Sequence, residues 1–434
     1  MLRRWLVLML ALCLGPATTS LFPAGGSSVP AADRYIVVLK NSASAPAVVA
    51  AASGLGATVD RVFGTVNTLV VSLRRRDLGR LKKDPRVAYV TADRPVRLLD
   101  SGNPATAVSA VPTGVARIGA APRLNPDGSI ATATGPAKKA AVALLDTGIM
   151  NRPDLNVVGG YDCEAGGDGT TTDNNGHGTH VAGIVADKGI RGVIGVSPGT
   201  PLYAVRVFDA SGSGSVSGVV CGLNWVAQNA ATDNIKVVNM SLGGQGSGDG
   251  NCGSTDGDAF HTAVCRVTAA GVTVVAAAGN DGADLANSTP AAYDEVLAVT
   301  AMADFDGKPG GLATRAPCSD GGQDDTAADF SDYAAPGSPG ADHTIAAPGV
   351  CITSTWNDGG TKTISGTSMA SPHVAGLVAR CIDAGPCAGM TPAQIIAKLR
   401  SDAASRPTDQ GFFGDPNRPI DGKYYGYLAS DLSY

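Results

Sequence analysis

Three short segments hold a carboxylate, an imidazole and a hydroxyl in settings that favour chemistry. Asp146 ends the apolar run AVALLDTGI. A carboxylate at the C-terminal mouth of a parallel strand faces the place where such folds put their sites. Alone the signal is weak, because Asp also ends strands as an ordinary turn or cap residue. His177 opens a helix in NNGHGTHVAGI, between Gly176 and Gly178, which leave room for a backbone or a substrate. His180 lies three residues on, so a two-histidine metal face is the competing reading; neither an HExxH pattern nor a third ligand supports it. Ser368, in SGTSMASPHVAG, stands at a helix N-terminus, where unpaired N–H groups can receive an oxyanion. The plain reading of such a serine is an N-cap. Asn280, in VTVVAAAGND, follows a strand at what is otherwise a common Gly-Asn turn.

Taken together, LLDTG, HGTH and GTSMASPHVAG resemble the subtilisin family over about Gly114 to Cys381, in that family's chain order of Asp, His and Ser. The resemblance implies a secreted serine endopeptidase that needs no cofactor for its chemistry. Ser368 is the implied nucleophile, a poor one until a base takes its proton. His177 is the implied base and later the acid, and Asp146 orients it and stabilises the imidazolium. The Asn280 side chain is the implied oxyanion donor beside the Ser368 N–H. NMSLGG resembles the segment in which Ser241, Leu242, Gly243 and Gly244 line the first substrate pocket, and DASGSGSVSG the facing strand, with Gly212, Ser213 and Gly214. A substrate is then held as an added strand through its backbone. NSTPAAYDEV matches the pocket floor near Asn287 and Ser288, where no acidic residue falls. A neutral pocket favours Leu, Met or Phe before the scissile bond over Lys or Arg. An α/β-hydrolase esterase requires GxSxG, which Gly366-Thr-Ser-Met-Ala370 lacks. A catalytically dead binding protein requires loss of a chemical residue, and all four positions are filled.

The elements that must position these residues fall into two units. Within residues 33–100, strands are expected at Arg34–Lys40, Ala57–Phe63, Thr68–Leu73 and Val87–Asp93, with helices at Ala45–Ala52 and Arg75–Lys83. The βαββαβ order predicts a small α+β ferredoxin-like sheet. It resembles the family's inhibitory propeptide, an intramolecular partner that chaperones folding and caps the active site. An Ala/Gly/Pro-rich stretch follows and reads as a linker, residues 101–113, with the maturation site nearby. Residues 114–434 alternate strands with amphipathic helices. The expected strands are Ala140–Leu145, Leu202–Phe208, Ile235–Met240, Val272–Ala278 and Val296–Ala301. The expected helices are His177–Ala186, Val216–Gln228, Asp258–Ala270, Ser368–Ile382 and Pro392–Ala403. Strands that are almost wholly apolar mark a parallel sheet covered on both faces, and thus a three-layer α/β peptidase domain.

Composition agrees with an exported globular enzyme. Apolar residues make up 44% and charged residues 16% of the 434 positions, enough to bury a large core. A net charge of −5 gives no electrostatic case for nucleic acid or an anionic membrane. Arg3 and Arg4, the apolar run Trp5–Leu14 and the small residues Ala17–Ser20 read as a signal peptide over residues 1–20. The mature protein is accordingly expected outside the cell, free of the membrane and monomeric, with proteins and peptides as substrates. Without Cys13, eight cysteines remain, an even count that suggests disulfides. Cys252 and Cys265 bracket a short loop, and Cys381 and Cys387 a Gly-Pro turn. The family resemblance pairs Cys163 with Cys221, which leaves Cys318 with Cys351. VADKGIRGVIGVSP lies where many relatives fold a calcium loop, but Lys188 and Arg191 enter it, unfavourably for a hard divalent ion. Asp154, in RPDLN, matches a carboxylate that serves that site in relatives and is the candidate calcium ligand.

Overall fold

A computed structural model of the chain describes residues 33–105, 111–121, 139–164, 169–313, 318 and 322–431. The leader read at residues 1–20 and part of the linker lie outside these residues. The N-terminal unit runs β1 (Asp33–Leu39), α1 (Ala45–Gly54), β2 (Thr58–Phe63), β3 (Thr68–Leu73), α2 (Leu78–Leu81) and β4 (Val87–Ala92). Its sheet is antiparallel, in the order β2-β3-β1-β4. The strand period of two divides β1 between two cores. Tyr35, Val37 and Leu39 pack with α1, whereas Ile36 and Val38 join Phe63, Val66 and Val70 in a core shared with the larger unit. The helix expected over Arg75–Lys83 is shorter: a 3-10 turn at Arg75–Asp77 leads into the four residues of α2. Gly79 lies in its middle and only Leu81 is buried, so neither propensity nor packing extends it.

Two further strands follow: β5 (Pro95–Leu98), at the end of the N-terminal unit where no strand was expected, and β6 (Ser101–Ala105), where a linker was expected. Beyond the short α3 (Thr113–Arg117), the larger unit is a three-layer sandwich. Its sheet comprises β7 (Ala141–Asp146), β8 (Val157–Asp162), β9 (Leu202–Arg206), β11 (Ile235–Met240), β13 (Thr273–Ala277), β15 (Val296–Ala303), β16 (Thr326–Ala327) and β17 (Thr344–Pro348). The order is β16-β15-β13-β11-β7-β9-β8, with β17 beside β15, and every pairing is parallel except that of β16. One face carries α4 (His177–Ala186), α7 (Thr367–Ala384) and α8 (Pro392–Ala404). The other carries α5 (Val216–Asn229) and α6 (Ala259–Ala269), on which the N-terminal sheet rests. Short strands rim the site: β10 (Ser213–Ser215), β12 (Leu242–Gln245), β14 (Ser288–Thr289), β18 (Ile352–Thr355) and β19 (Thr361–Ser365). Disulfides join Cys163 to Cys221, Cys252 to Cys265, Cys318 to Cys351 and Cys381 to Cys387. Among the described residues no helix is long and apolar enough to cross a membrane.

Candidate active site

The sheet brings Asp146, the last residue of β7, against His177, the first of α4. Nδ1 of His177 lies 2.8 and 3.0 Å from the two carboxylate oxygens. Close approach depends on Gly178: a Cβ there would meet the Gly148 carbonyl at 2.1 Å and Asp146 Oδ1 at 3.1 Å. Gly176 has φ of 111°, and a Cβ on it would strike the Trp356 ring. Asp173, a residue that the motifs did not single out, secures this corner. It is fully buried and accepts from the N–H groups of Asn175, Gly176 and Thr179 and from the Thr147 and Thr179 hydroxyls. It thereby holds the first turn of α4 against the end of β7. Burial disfavours an imidazolium at His177, but the adjoining Asp146 charge outweighs it, helped by Asp100 and Asp173, and raises the pKa to about 9. His180 points elsewhere. Its Nε2 is 3.1 and 3.0 Å from the carbonyls of Ile352 and Lys362, and burial lowers its pKa to about 3. The two histidines do not share a metal face.

Ser368 sits in the first turn of α7 with its N–H free of the helix. That N–H donates to the Leu99 carbonyl at 3.1 Å. The Ser368 hydroxyl donates to the Ser241 carbonyl at 3.0 Å and accepts from the Leu99 N–H at 3.1 Å. His177 Nε2 is buried with no hydrogen-bond partner among the described residues. Pro372 cannot donate to the carbonyl four residues before it; the Ser241 hydroxyl donates to that Ser368 carbonyl instead, at 2.8 Å. Asn239 fixes Ser241 through its amide and accepts from Ser371. Across the turn, the Asn280 side-chain oxygen accepts from the Thr367 N–H and hydroxyl at 3.0 and 2.7 Å. The amide NH2 is thereby turned toward Gly366, where an added Cβ would lie 3.2 Å from it and 2.3 Å from the Leu99 carbonyl oxygen. The Ser368 N–H thus donates to the Leu99 carbonyl with the Asn280 amide on the same side of Gly366, and only glycine at 366 lets that carbonyl approach.

The chain itself fills the cleft. β5 lies antiparallel between β10 and β12: Arg97 stands opposite both Ser213 and Gly243, Val96 opposite Gly214 and Leu98 opposite Leu242. Beyond the site β6 pairs with β19. Leu99 is buried beside Gly243, where a Cβ would meet its side chain at 2.9 Å, and a Cβ at Gly212 would meet Leu98 at 2.8 Å. The predicted pocket residues Ser241–Gly244 and Gly212–Gly214 thus flank residues 96–99. Ser288 belongs to β14, which pairs with β12. The floor is not free of acidic residues, contrary to what the local sequence suggested. Asp332 comes from a distant loop, and a Cβ on Gly279 would meet both its carboxylate and Ser288 Oγ. It accepts from the N–H groups of Asp281 and Ala283. Burial raises its carboxyl to about 6 against these hydrogen bonds.

Asp154, the candidate calcium ligand, is already engaged. Both carboxylate oxygens are taken by Arg152, at 3.0 and 2.7 Å, and the same guanidinium donates to the carbonyls of Trp356 and Gly360. A cation of the protein's own thus occupies the ligands. A second acidic group, Asp304, Asp306 and Asp324, brings ligand oxygens within 4.8 Å of one another. There Asp304 and Asp324 accept from backbone N–H groups of the same loop, and Arg117 Nε lies 2.9 Å from Asp304.

This fold and this convergence of groups are those of a known class of hydrolase. The sequence model described as the subtilase family matches residues 137–419. The chain is 37% identical over 414 residues to an extracellular serine proteinase of Thermus sp. (strain Rt41A), covering 88% of each chain. It is 35% identical over 411 residues to subtilisin J of Geobacillus stearothermophilus, covering 92% of this chain and 93% of that one. A solved cold-adapted subtilisin-like serine proteinase superposes with a TM-score of 0.54 at 32% identity, over 75% of this chain and all of its own. The chain belongs to the subtilase family and is a subtilisin-type serine endopeptidase.

Proposed function

We propose that the protein is exported as a precursor, uses Asp146, His177 and Ser368 as its catalytic triad, and makes its first cut in its own chain between Leu99 and Asp100. One observation carries the reading: the Leu99 carbonyl oxygen is 3.1 Å from the Ser368 N–H, at the end of the strand that runs through the cleft. The Ser368 hydroxyl turns to His177 Nε2, gives up its proton there and adds to the Leu99 carbonyl carbon. Negative charge then grows on an oxygen that faces the Ser368 N–H and the Asn280 amide. Collapse breaks the bond to the Asp100 nitrogen, which leaves as an amine with the proton from His177, and water hydrolyses the ester by the reverse sequence. Asp146 keeps His177 in the tautomer with Nε2 free.

Residues 33–99 then remain as an inhibitor, because the pairing of β5 and the shared core do not depend on the severed bond. Asp93 adds to this hold by accepting from the N–H and hydroxyl of Ser217 at the start of α5. Export rests on the basic and apolar leader, the four disulfides and the extracellular relative. The test expresses wild type and Ser368→Ala side by side in a host without other exported proteases, followed by N-terminal sequencing. Wild type should begin at Asp100 or later and Ser368→Ala should keep residues 33–99 attached. Trimming of Ser368→Ala to mature size overturns self-processing, and a first cut elsewhere overturns the assignment of Leu99.

A further inference from the structure

Counting Leu99 as the first residue before the cut, Arg97 is the third and Arg94 the sixth. Both are cations seated on carboxylates of the enzyme. One terminal nitrogen of Arg97 bonds both oxygens of Asp281, at 2.9 and 2.8 Å. Asp281 follows Asn280, and its backbone is pinned where Asp332 accepts from the N–H groups of Asp281 and Ala283. The carboxylate therefore has a fixed address beside the third strand position. Arg94 donates to the Gln245 carbonyl at 3.1 Å and reaches Asp258 at 3.4 Å. Asp258 is buried, accepts from the Tyr293 hydroxyl at 2.7 Å and from the Phe260 N–H at 2.9 Å, and so caps α6 independently of Arg94. Both carboxylates keep these supports when residues 33–99 leave, and both lose their cation. The two parts of the chain are also opposite in charge. Residues 33–99 carry 12 Lys and Arg against 5 Asp, and residues 100–434 carry 19 against 33 Asp and Glu.

Resting on the proposed cleft and cut, we propose that Asp281 and Asp258 make this protease select substrates with Arg or Lys three and six residues before the scissile bond. The apolar demand stays at the first and fourth positions, where Leu99 and Val96 are buried. The preferred class is thus a cationic, extended peptide with leucine at the cut. The Arg97–Asp281 pair is open to water, with both side chains over 60% exposed. Its contribution is therefore modest, about two- to five-fold in kcat/KM, and falls as salt shortens the screening length.

The experiment uses the secreted mature enzyme from the full chain and internally quenched peptides Arg-Pro-Val-X-Leu-Leu-Asp, with X as Arg, Lys, Gln or Glu. A companion peptide replaces the leading Arg by Gln. Arg and Lys at X should exceed Gln by the stated factor and Glu by more. The ratio should approach one at about 1 M salt and in Asp281→Asn, and the leading Arg should also raise kcat/KM. Equal cleavage of the four peptides, with leucine still preferred over lysine at the cut, overturns this inference and leaves the proposed function intact. Failure to cleave any leucine peptide overturns both. A preference for Arg that persists unchanged in high salt overturns the electrostatic assignment without requiring the variant to fold.

Discussion

Replacing Arg152 by Met would test what holds the loop after β7. Arg152 and Asp154 are 6% and 0% exposed, and the guanidinium joins the carboxylate to the Trp356 and Gly360 carbonyls. Met keeps most of the apolar stem but leaves a buried carboxylate without its guanidinium, while the two carbonyls keep only the Gly359 and Trp356 N–H groups. Breaking a buried pair on one side costs about 3–5 kcal/mol. At about 2.1 cal/mol/K of unfolding entropy per residue, a chain of this size loses about 3–5 °C in Tm. The sign of the pH dependence follows from Asp154. Burial pushes its carboxyl up, and Arg152 more than reverses this, so its pKa lies below the ordinary value. A depressed carboxyl stabilises above the unfolded pKa, near 3.9, and that contribution is lost as pH falls through the folded value. In the variant the unpaired carboxyl moves up instead. The deficit should be largest at neutral pH and shrink toward acid. Scanning calorimetry in a Ser368→Ala background excludes self-digestion. Arg152→Met/Asp154→Leu should recover most of the loss, because the buried charge goes with its partner. A single variant that melts with its parent, or a double variant as weak as the single, refutes the argument.

Other perturbations probe the remaining assignments. Self-cleavage should accelerate from neutral to alkaline pH, since the base form of His177 appears only as pH rises through its raised pKa of about 9. Asp100→Asn should move that profile to lower pH, as read from precursor disappearance on gels. Asn280→Ala should slow turnover by about 10²–10³ and delay maturation without abolishing it, a magnitude taken from subtilisin itself. Asp93→Ala removes the acceptor for Ser217, and loss of a helix cap at about 1–2 kcal/mol should weaken inhibition by added residues 33–99 by about 5- to 30-fold. Mass mapping should find the four disulfides and no free thiol; reduction of Cys252–Cys265 should cost about 3 kcal/mol by the loop-entropy account.

The sequence displayed most strongly what is local and periodic. The apolar strands Ile235–Met240 and Val296–Ala303, and the helices opening at His177 and Val216, were readable from pattern alone. β8 was not, because VVGGYD carries two glycines, which weaken any strand signal. Its Gly160 is required by the neighbour: a Cβ would lie 2.0 Å from the Ala204 carbonyl. β5 and β6 were hidden for another reason. Their extended form comes from the edges of β10, β12 and β19, and neither the short PVRL segment nor the linker composition after it holds a trace of a distant edge. Asp173, Asp281 and Asp332 support the site from loops where one aspartate looks like any other. Arg152 was equally mute: only the fold shows that it satisfies Asp154, which sequence comparison had marked for an ion.

The slot between β10 and β12 bears on which proteins can be digested at all. Residues 95–98 occupy it only as a strand paired on both sides, and residues 101–105 continue beyond it as a strand paired with β19. A helix or an already paired strand cannot make those hydrogen bonds, so a folded protein must first release a stretch of this length. For such targets the rate is set by the free energy of that local opening. Hydrolysis then ranks proteins by the looseness of their loops and termini more than by their residues, and a well-knit protein survives beside the enzyme even when its sequence contains an ideal cut.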